Sequence, residues 1–394
     1  MKITIVCDVL GKENNGTTIA AMNLIRYLKE HGHEVRVLCC DQDRIGEDGF
    51  FVVPAMHFGP LDSYVEKNGV TIAKPDEDIV RSAIEGADIV HVMIPFALGR
   101  AAAKVAKELD IPLSCGCHLL AENVTTHIFM QNVPIANKIA YHEFGKLYRQ
   151  ADSMHYVTPY MRTLSEKMYG PTNGYVISNG VTDNFTPADE PLPCDGTINI
   201  VYTGRYSREK SHEVLFKAVA KSKYADRIQL ILAGGGPLKD KLEKLGESLP
   251  VKPIMQFFPR EKMPEMLRTC YLYVHAAEIE AEGISCLEAI CCGVVPIIND
   301  SPRCATKSYA IEPNNMFRNN DPDDLATKID WWIEHRTEYI ANRRTYIEES
   351  TDKFTRAKCM EQMERMLVDT ATRIGKHKQD KDATSAEDTA VNAD

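Results

Sequence analysis

The sequence lacks any long hydrophobic run. Across its 394 residues, no uncharged apolar stretch approaches the ~20 residues that a membrane-spanning helix needs. The N-terminus, "MKITIVCDVLGKENNG", also lacks the apolar core and the small-residue cleavage site of a secretory signal peptide. We therefore expect a cytoplasmic protein that meets a membrane only peripherally, on the inner face.

An excess of positive charge is missing too, since 46 Lys and Arg face 56 Asp and Glu, for a net charge of -10. That balance argues against a nucleic-acid partner. Among the 12 cysteines, only Cys115 and Cys117, beside His118, resemble a metal cluster, and no second pair at zinc spacing accompanies them. We expect reduced, buried thiols and no metal cofactor.

Hydrophobic residues make up 44% of the chain and alternate between strand-length and helix-length patterns. "KITIVCDV" is an apolar strand, and Ala21, Leu24, Ile25 and Leu28 form the stripe of the following helix. The alternation pauses at residues 175–197, which are rich in Asn, Asp, Pro and Gly, and then restarts. This pattern predicts an α/β protein with two facing Rossmann-like domains and a ligand cleft between their strand-end loops.

The same pattern predicts the domain boundaries. The N-terminal domain covers residues 1–185 and the C-terminal domain residues 186–355. A further helix is predicted over residues 356–374, and the low hydrophobicity of residues 375–394 predicts a disordered tail.

The stretch "EIEAEGISCLEAICCG", residues 278–293, concentrates acidic side chains at the entrance to an apolar helix. Glu278, Glu280 and Glu282 repel one another in one loop, which predicts a positive or hydroxyl-rich partner. The alternative is a solvated acidic loop.

The helix that follows this loop offers two further binding features. Backbone N–H groups of Gly283, Ile284 and Ser285 would point out of its N-terminus, which favours phosphate oxygens. Glu288, one turn into the helix, could accept two hydrogen bonds from a ribose diol.

Two glycine-containing loops follow other strands. "YTGRYSREKS" places Gly204, Arg205 and Lys210 at the carboxyl end of a strand, where two cations suit a diphosphate. In "LAGGGP" the triplet 234–236, centred on Gly235, lets the backbone come close to a ligand or makes a tight turn. The pattern G-x-G-x-x-G of a nicotinamide-type site is absent there.

The first domain contributes two candidate segments. "NNGTT", with Asn15 and Gly16, opens a helix and either binds phosphate or caps that helix. In "CGCHLLAENVTTH", His118 ends a predicted buried strand and is either a core residue or a side chain of the cleft. Glu122 and Asn123 follow closely and favour the cleft.

Taken in order along nearly the whole chain, these motifs resemble the retaining glycosyltransferases of family 4, which have the two-domain glycosyltransferase-B architecture. Glu280 and Glu288 match the family's two glutamates separated by seven residues. The resemblance implies that Glu288 binds the donor ribose, that Glu280 binds the transferred sugar and that Arg205 and Lys210 bind the diphosphate. It also implies that His118 contacts the donor sugar near the reacting centre and that the last helix crosses back to the first domain.

The site residues expected on this basis fall into three groups. The catalytic candidates are His118, Arg205, Lys210 and Glu280. The donor-binding candidates are Asn15, Gly16, Gly204, Arg205, Lys210, Gly235, Glu280, Gly283, Ile284, Ser285 and Glu288. The acceptor-side candidates are His118, Glu122 and Asn123. The resemblance implies front-face transfer, in which the leaving diphosphate helps to accept the proton of the acceptor.

The chain departs from the family pattern at two places. Ala281 and Glu282 stand where the family often has Gly and Phe, and the spacing from Glu288 still favours Glu280 as the sugar ligand. "NNGTT" replaces a double glycine that is common in the first loop.

A finer resemblance links "MIPFALG", "HLLAENVT" and "EGISCLEA" to bacterial glycosyltransferases that glucosylate diacylglycerol. It implies UDP-glucose as co-substrate and a lipid acceptor. Residues 127–150 mix apolar and basic side chains and form either an interfacial helix or a packed helix of the first domain. The alternatives are an enzyme with a soluble or polysaccharide acceptor, a nucleotide-sugar epimerase, or a non-catalytic protein that binds a sugar nucleotide.

Overall fold

The structure is a computed structural model that describes residues 1–8, 10, 16–57, 59, 72–126, 130 and 132–391, with side chains undescribed at 126, 351–352 and 375–391. The chain forms two compact units. Unit 1 comprises Met1–Leu119, Ile135–Ile177 and Met360–Asp394, and unit 2 comprises Leu120–Pro134 and Ser178–Cys359.

The strands alternate with helices along both units. The strands are β1 (Lys2–Val6), β2 (Glu34–Cys39), β3 (Phe50–Val52), β4 (Ile89–Val92), β5 (Leu113–Cys117), β6 (Ser153–Tyr156), β7 (Gly174–Val176), β8 (Ile198–Thr203), β9 (Ile228–Ala233), β10 (Ile254–Gln256), β11 (Leu272–His275), β12 (Val295–Asn299) and β13 (Met316–Phe317). The α-helices are α1 (Gly16–Glu30), α2 (Glu77–Ile84), α3 (Ala97–Glu108), α4 (Ala121–Thr126), α5 (Pro134–Tyr148), α6 (Pro159–Tyr169), α7 (His212–Lys221), α8 (Lys239–Gly246), α9 (Met263–Arg268), α10 (Ile284–Cys291), α11 (Pro322–Glu334), α12 (Arg336–Lys353) and α13 (Arg356–Val391).

Each unit contains one parallel sheet. In unit 1 the strand order is β3-β2-β1-β4-β5-β6-β7, and in unit 2 it is β10-β9-β8-β11-β12-β13. All of these strand pairs are parallel. The order reverses between β1 and β4 in unit 1 and between β8 and β11 in unit 2. Ligands of open parallel sheets bind beyond the carboxyl ends of strands at such points.

The central strands are apolar because helices cover both faces of a parallel sheet. All residues of β4, β5, β11 and β12 are buried. Local signals set several helix boundaries. Thr158 caps the N-terminus of α6 by accepting from the Met161 N–H, and Pro159 follows at the first helical position. The predicted strand–helix alternation and the two Rossmann-like domains are confirmed.

The chain passes between the units at two points, Ile177–Ser178 and Cys359–Met360. The sequence places the first boundary at 185, later than the change of unit, because the polar stretch 175–197 contains no periodicity that marks it. From Met360 onward α13 packs within unit 1, where Glu364 lies 2.8 Å from His33 and the Thr370 hydroxyl donates to Ser153.

The backbone of α13 continues to Val391, whereas the sequence analysis expects a disordered tail from Gly375. Beyond Gly375 the segment contains neither Gly nor Pro, so its helix propensity is uninterrupted even though its hydrophobicity is low. Within the described part of the chain, no helix combines the length and apolar character needed to cross a bilayer.

Candidate active site

The loops after β8 and β11 meet at the point where the strand order of unit 2 reverses. Gly204 and Arg205 follow β8, and residues 276–283, here called the donor loop, follow β11. The structure therefore brings the two candidate segments of unit 2 to the ends of neighbouring strands.

A buried ion pair joins these two loops. The Lys210 ammonium lies 2.5 Å from the Glu280 carboxylate, and both side chains are largely buried. Burial lowers the pKa of Lys210, but the Glu280 carboxylate outweighs it and the net shift is upward. Burial raises the pKa of Glu280, but Lys210 and then His275 outweigh it and the net shift is downward. Both groups are therefore charged at neutral pH.

Neutral polar side chains pack behind this ion pair. His275 is fully buried with its Nε2 3.7 Å from Glu280, and burial lowers the pKa of His275 to about 3. The Tyr273 hydroxyl lies 3.3 Å from His275 Nδ1 and 3.1 Å from the Ser285 hydroxyl. His275 and Tyr273 are not among the predicted site residues, because a polar residue in a buried strand has no distinctive spacing.

The three glutamates of the donor loop do not form a solvated acidic cluster. Glu278 accepts from Arg303, whose other nitrogen donates to Asn132. Glu282 is 4% exposed and accepts from Ser178 and Asn179. The expected positive or hydroxyl-rich partners exist, but they belong to the chain itself, and each carboxylate has a different one.

Helix α10 begins at a glycine with left-handed backbone geometry. Gly283 has φ +77°, and a Cβ there would lie 2.2 Å from Thr306 Cγ2. Only glycine fits both the backbone angle and the space. Cys286 N donates to Gly283 O at 2.8 Å, and helix geometry leaves the N–H groups of Ile284 and Ser285 without intrahelical acceptors. These amides lie at a helix N-terminus, where anions are favoured, and their role in binding the donor stays a prediction.

Glu288 projects from α10 into a buried position and is 3% exposed. Its carboxylate lies 2.5 Å from the Arg260 guanidinium, which stacks over the Phe185 ring. Burial raises the pKa of Glu288, and Arg260 opposes this shift. No local sequence pattern indicates Arg260, because its partner lies far along the chain.

The glycine triplet allows two loops to touch. A Cβ at Gly234 would lie 1.9 Å from Gly204 O, and one at Gly236 would lie 2.7 Å from Tyr206 O. The Tyr206 N–H donates to Gly235 O at 2.8 Å. At Gly234 and Gly236 the close approach is to the backbone of the neighbouring loop, while the space around a Cβ at Gly235 is open. An approach of this backbone to a ligand stays a prediction.

In unit 1, His118 lies just after β5 and is 7% exposed. Neither of its ring nitrogens has a hydrogen-bond partner among the described residues. Its ring packs edge-on against His155, with centroids 5.0 Å apart. Burial, followed by His155 and His91, lowers the pKa of His118 well below its usual value. The imidazole is therefore neutral, with two unused polar atoms.

The remaining first-domain candidates occupy separate positions. Gly16 is the exposed first residue of α1, and Asn15 lies outside the described residues. Glu122 and Asn123 belong to α4 in unit 2. The Asn123 side chain accepts from the Leu120 N–H at 3.0 Å, which is a helix-capping contact.

No group of three or more His, Cys, Asp and Glu side chains within the described part of the chain is arranged to hold a metal ion. Cys115 and Cys117 are buried thiols on β5, and burial raises the pKa of Cys117 to about 12.

Two Rossmann-like units, each containing one parallel sheet, have the architecture of the glycosyltransferase-B class. Residues 14–185 match the model of Glycosyltransferase Family 4, and residues 189–353 match that of Glycosyl transferases group 1. The chain belongs to the retaining glycosyltransferases of family 4.

Known proteins with different donors and acceptors are similar to this chain. It is 25% identical to a GDP-mannose-dependent alpha-mannosyltransferase of Mycolicibacterium smegmatis, over 88% of this chain and 90% of that protein. It is 22% identical to the alpha-monoglucosyldiacylglycerol synthase of Streptococcus pneumoniae, over 55% of this chain and 52% of the synthase.

Among solved structures, HepE of Anabaena in complex with UDP and glucose has a similar fold. The TM-score is 0.70 with 16% identity, and the match covers 94% of this chain and 100% of HepE. The glycosyltransferase-B fold expected from the sequence is thereby confirmed.

Proposed function

We propose that this protein transfers glucose from UDP-glucose, with retention of configuration, to a hydroxyl group of diacylglycerol at the cytoplasmic face of a membrane. The observation that carries the donor half is the buried Lys210–Glu280 pair beside the N-terminus of α10. The acceptor half rests on the finer sequence resemblance and on the exposed face of α5.

In the proposed reaction, the bond between the anomeric carbon and the diphosphate oxygen breaks. A bond to the acceptor oxygen forms on the same face, and the proton of the acceptor passes to the leaving diphosphate. Lys210 and Arg205 stabilise the charge that develops on that group, together with the first amides of α10. Glu280 binds hydroxyls of the transferred sugar, and Glu288, oriented by Arg260, binds the ribose.

His118 has the chemistry of a ligand for sugar hydroxyls. Its neutral ring has one N–H donor and one acceptor nitrogen, and both lack partners within the described residues. A buried polar group without a partner is costly, so a sugar hydroxyl that supplies the missing hydrogen bonds would bind favourably.

Two observations support a lipid acceptor. One is the similarity to the glucosyldiacylglycerol synthase of S. pneumoniae. The other is α5, where Ile135 and Ile139, one turn apart, are 66% and 60% exposed. Lys138, on the same helix, is exposed as well, a combination that favours an interfacial surface. The C-terminal half of α5 buries Phe144, Leu147 and Tyr148, which supports the packed-helix interpretation for that half. The interfacial interpretation is proposed for the N-terminal half.

A second candidate is transfer of mannose from GDP-mannose. The similarity to a GDP-mannose-dependent enzyme extends over more of the chain than the similarity to the glucosyltransferase. The pyrophosphate and ribose contacts proposed above would be the same for both donors, so they do not distinguish between them.

Incubation of the purified protein with labelled UDP-glucose or GDP-mannose, with and without diacylglycerol vesicles, tests the proposal. We expect labelled glucolipid from UDP-glucose only. Labelled mannolipid would favour the second candidate, and labelling of added soluble sugars alone would refute the lipid acceptor. Product that forms without release of UDP would exclude group transfer from the donor.

Vesicle sedimentation tests the surface on α5. Ile135→Asp with Ile139→Asp should reduce binding to anionic vesicles at least about tenfold, because two apolar anchors are lost and two negative charges are added. Ile45→Asp, at a site that is 67% exposed, is the matched control. Equal binding by both variants would remove α5 from the docking surface.

A further inference from the structure

Glu282 has an unusual environment for an acidic residue. It stands between Glu280 and Gly283 in the donor loop, yet its carboxylate is turned into the protein. It accepts from the Ser178 hydroxyl at 2.6 Å, from the Asn179 N–H at 2.9 Å and from the Asn179 side-chain amide at 2.5 Å. All three hydrogen bonds come from uncharged groups about a hundred positions earlier in the chain, 104 residues for Ser178.

The partners of Glu282 lie where the chain enters unit 2. Ser178 is the first residue after the passage from unit 1. The next residues pair with the segment that leads to the second passage, because the Val181 N–H donates to Phe354 O at 2.7 Å and the Arg356 N–H donates to Val181 O at 2.8 Å. We call residues 178–181 and 354–359 the crossover segments.

The two crossover segments are packed tightly against each other. A Cβ at Gly180, which has φ +77°, would lie 2.7 Å from Arg356 Cα and 3.2 Å from Cys359 Cβ. The Gly180 N–H also donates to the Ser178 hydroxyl, the same group that Glu282 binds. A displacement of either segment would therefore reach the Glu282 carboxylate.

On its other side Glu282 is only one residue from Gly283 and two from Glu280. The donor loop is tied elsewhere by the Ala305 N–H, which donates to Glu280 O at 2.8 Å. The position of Glu282 thus sets the direction in which the backbone leaves Glu280 and enters α10.

We propose that Glu282 is a positioning residue, whose carboxylate ties the donor loop to the crossover segments and so fixes Glu280 and the first amides of α10 in place for the donor. This inference rests on the proposed function of the donor loop. Glu282 itself touches no substrate in this proposal.

The chemistry of the three donors explains why a carboxylate serves here. An ionised carboxylate is acceptor-only and has lone pairs for all three hydrogen bonds. Phe, which is frequent at this position in the family, could accept none of them. Burial raises the pKa of Glu282 to about 7, opposed by the Ser178 and Asn179 hydrogen bonds, and Glu280 adds to the upward shift. Cys359 and Tyr309 are the other titratable groups that interact with Glu282.

A swap of hydrogen-bonding groups tests the link. Asn179→Asp alone would remove the side-chain donor and place two acidic side chains in contact, which weakens the tie although the Ser178 hydroxyl and the Asn179 backbone N–H can still donate. In the Asn179→Asp, Glu282→Gln double variant, the new amide can donate to the new carboxylate and restore it. Amide hydrogen exchange, followed by mass spectrometry of peptides from 178–181 and 276–283, reports the tie without any substrate. UDP titration by calorimetry reports its effect on donor binding.

We expect Asn179→Asp to speed exchange in both segments about tenfold and to weaken UDP binding by a similar factor. The double variant should recover most of both effects, and Glu247→Gln, at an exposed glutamate of the same unit, should change neither. If Asn179→Asp does not fold, Ser178→Ala removes one hydrogen bond and should give a smaller change in the same two segments.

Faster exchange confined to residues 178–181, or no recovery in the double variant, would overturn the inference. Absence of UDP binding in the unmodified protein would refute the proposed function instead. The exchange result would then still decide whether Glu282 links the two segments.

Discussion

At the scale of single residues, environment rather than residue type decides what each glutamate of residues 278–288 can do. Glu280 remains charged because Lys210 lies beside it. Burial raises the pKa of Glu282 to about 7 and that of Glu288 in the same direction. Glu278 instead pairs with Arg303. Spacing singles out Glu280 and Glu288, but it does not show that each of the four carboxylates has a different partner.

Lys210→Ala should lower kcat by a factor on the order of 10²–10³, because the charge that develops on the leaving diphosphate loses its nearest buried cation. Lys217→Ala, at an exposed lysine on α7, is the matched control and should leave the rate unchanged. Initial rates with labelled donor measure the effect, and circular dichroism checks folding, since Glu280 loses its partner. A variant that turns over within threefold of the unmodified protein would remove Lys210 from the reaction.

Gly116→Ala should reduce the rate of sugar transfer, because it displaces the His118 ring. The added Cβ would lie 2.5 Å from His118 Nε2, so the ring must rotate out of its present position. We expect a cost in the free energy of unfolding of about 1–3 kcal/mol from overpacking. We also expect a loss of rate close to that of His118→Ala. Gly196→Ala, where a Cβ meets nothing within 4 Å, is the control for denaturant melts and initial rates. If the rate survives the displaced ring, His118 does not contact the donor.

At the scale of elements, the sequence predicts regular structure well and long-range pairing poorly. Strands such as β8 and β12 read as apolar runs because both faces of a parallel sheet are covered. The start of α10 at Gly283 follows from the glycine between a polar loop and an apolar run. The pairings Arg260–Glu288 and Ser178–Glu282 have no such signal, since nothing in local periodicity connects residues that far apart. The Asn123 side chain caps a helix by accepting from the Leu120 N–H, and its place on the acceptor side stays a prediction.

Gly283→Ala should damage α10 as an element. The left-handed backbone costs an L-residue roughly 1–2 kcal/mol, and the 2.2 Å approach to Thr306 adds overpacking. We expect the free energy of unfolding of unit 2 to fall by about 3 kcal/mol and UDP affinity to fall at least tenfold, because the first amides of α10 shift.

Gly32→Ala separates the two contributions, since Gly32 has φ +80° with nothing within 4 Å of a Cβ. It should show the backbone cost alone, with UDP affinity unchanged. Equal destabilisation by both substitutions would mean that Thr306 yields and that the contact does not matter.

At the scale of the whole molecule, the two units differ in the titratable groups they bury. Unit 1 buries His91, His118 and His155, and burial lowers the pKa of all three. The pKa falls to about 3 for His91 and to about 4 for His155. Unit 1 also buries Asp8, and burial raises the pKa of this carboxyl to about 7. Unit 2 buries two histidines with pKa values of about 3, His212 and His275. It also buries two glutamates with raised pKa values, Glu282 and Glu288.

These shifts have opposite signs in their effect on stability. A histidine with a lowered pKa binds its proton only in the unfolded chain between about pH 3 and 6.5, so it destabilises the folded state as pH falls through that window. A carboxyl with a raised pKa binds its proton preferentially in the folded chain, so it destabilises the folded state as pH rises from about 4 to 7. Between pH 5 and 6, unit 1 therefore has an excess of about two protons in the unfolded state, and unit 2 has at most about one, because Glu282 offsets one of its two histidines and Glu288 acts in the same direction as Glu282.

Acidification should consequently unfold unit 1 before unit 2. Two protons correspond to about 3 kcal/mol of lost stability per pH unit in unit 1. Both tryptophans, Trp331 and Trp332, lie in unit 2, so their fluorescence reports that unit alone, while far-ultraviolet circular dichroism reports both. Denaturant melts at pH 7 and pH 5.5 should show the circular dichroism transition splitting, with the fluorescence transition moving less than the part that reports unit 1.

His155→Gln supplies the internal check. His155 Nε2 lies 2.7 Å from Ile177 O, and a glutamine can still donate to that oxygen but cannot titrate. It should lower the pH dependence of unit 1 by about one proton, whereas His142→Gln, at an exposed histidine of the same unit, should leave it unchanged. A fluorescence transition that moves together with the circular dichroism transition, in every variant, would mean that the two units unfold as one and that the buried histidines of unit 1 do not set the acid limit.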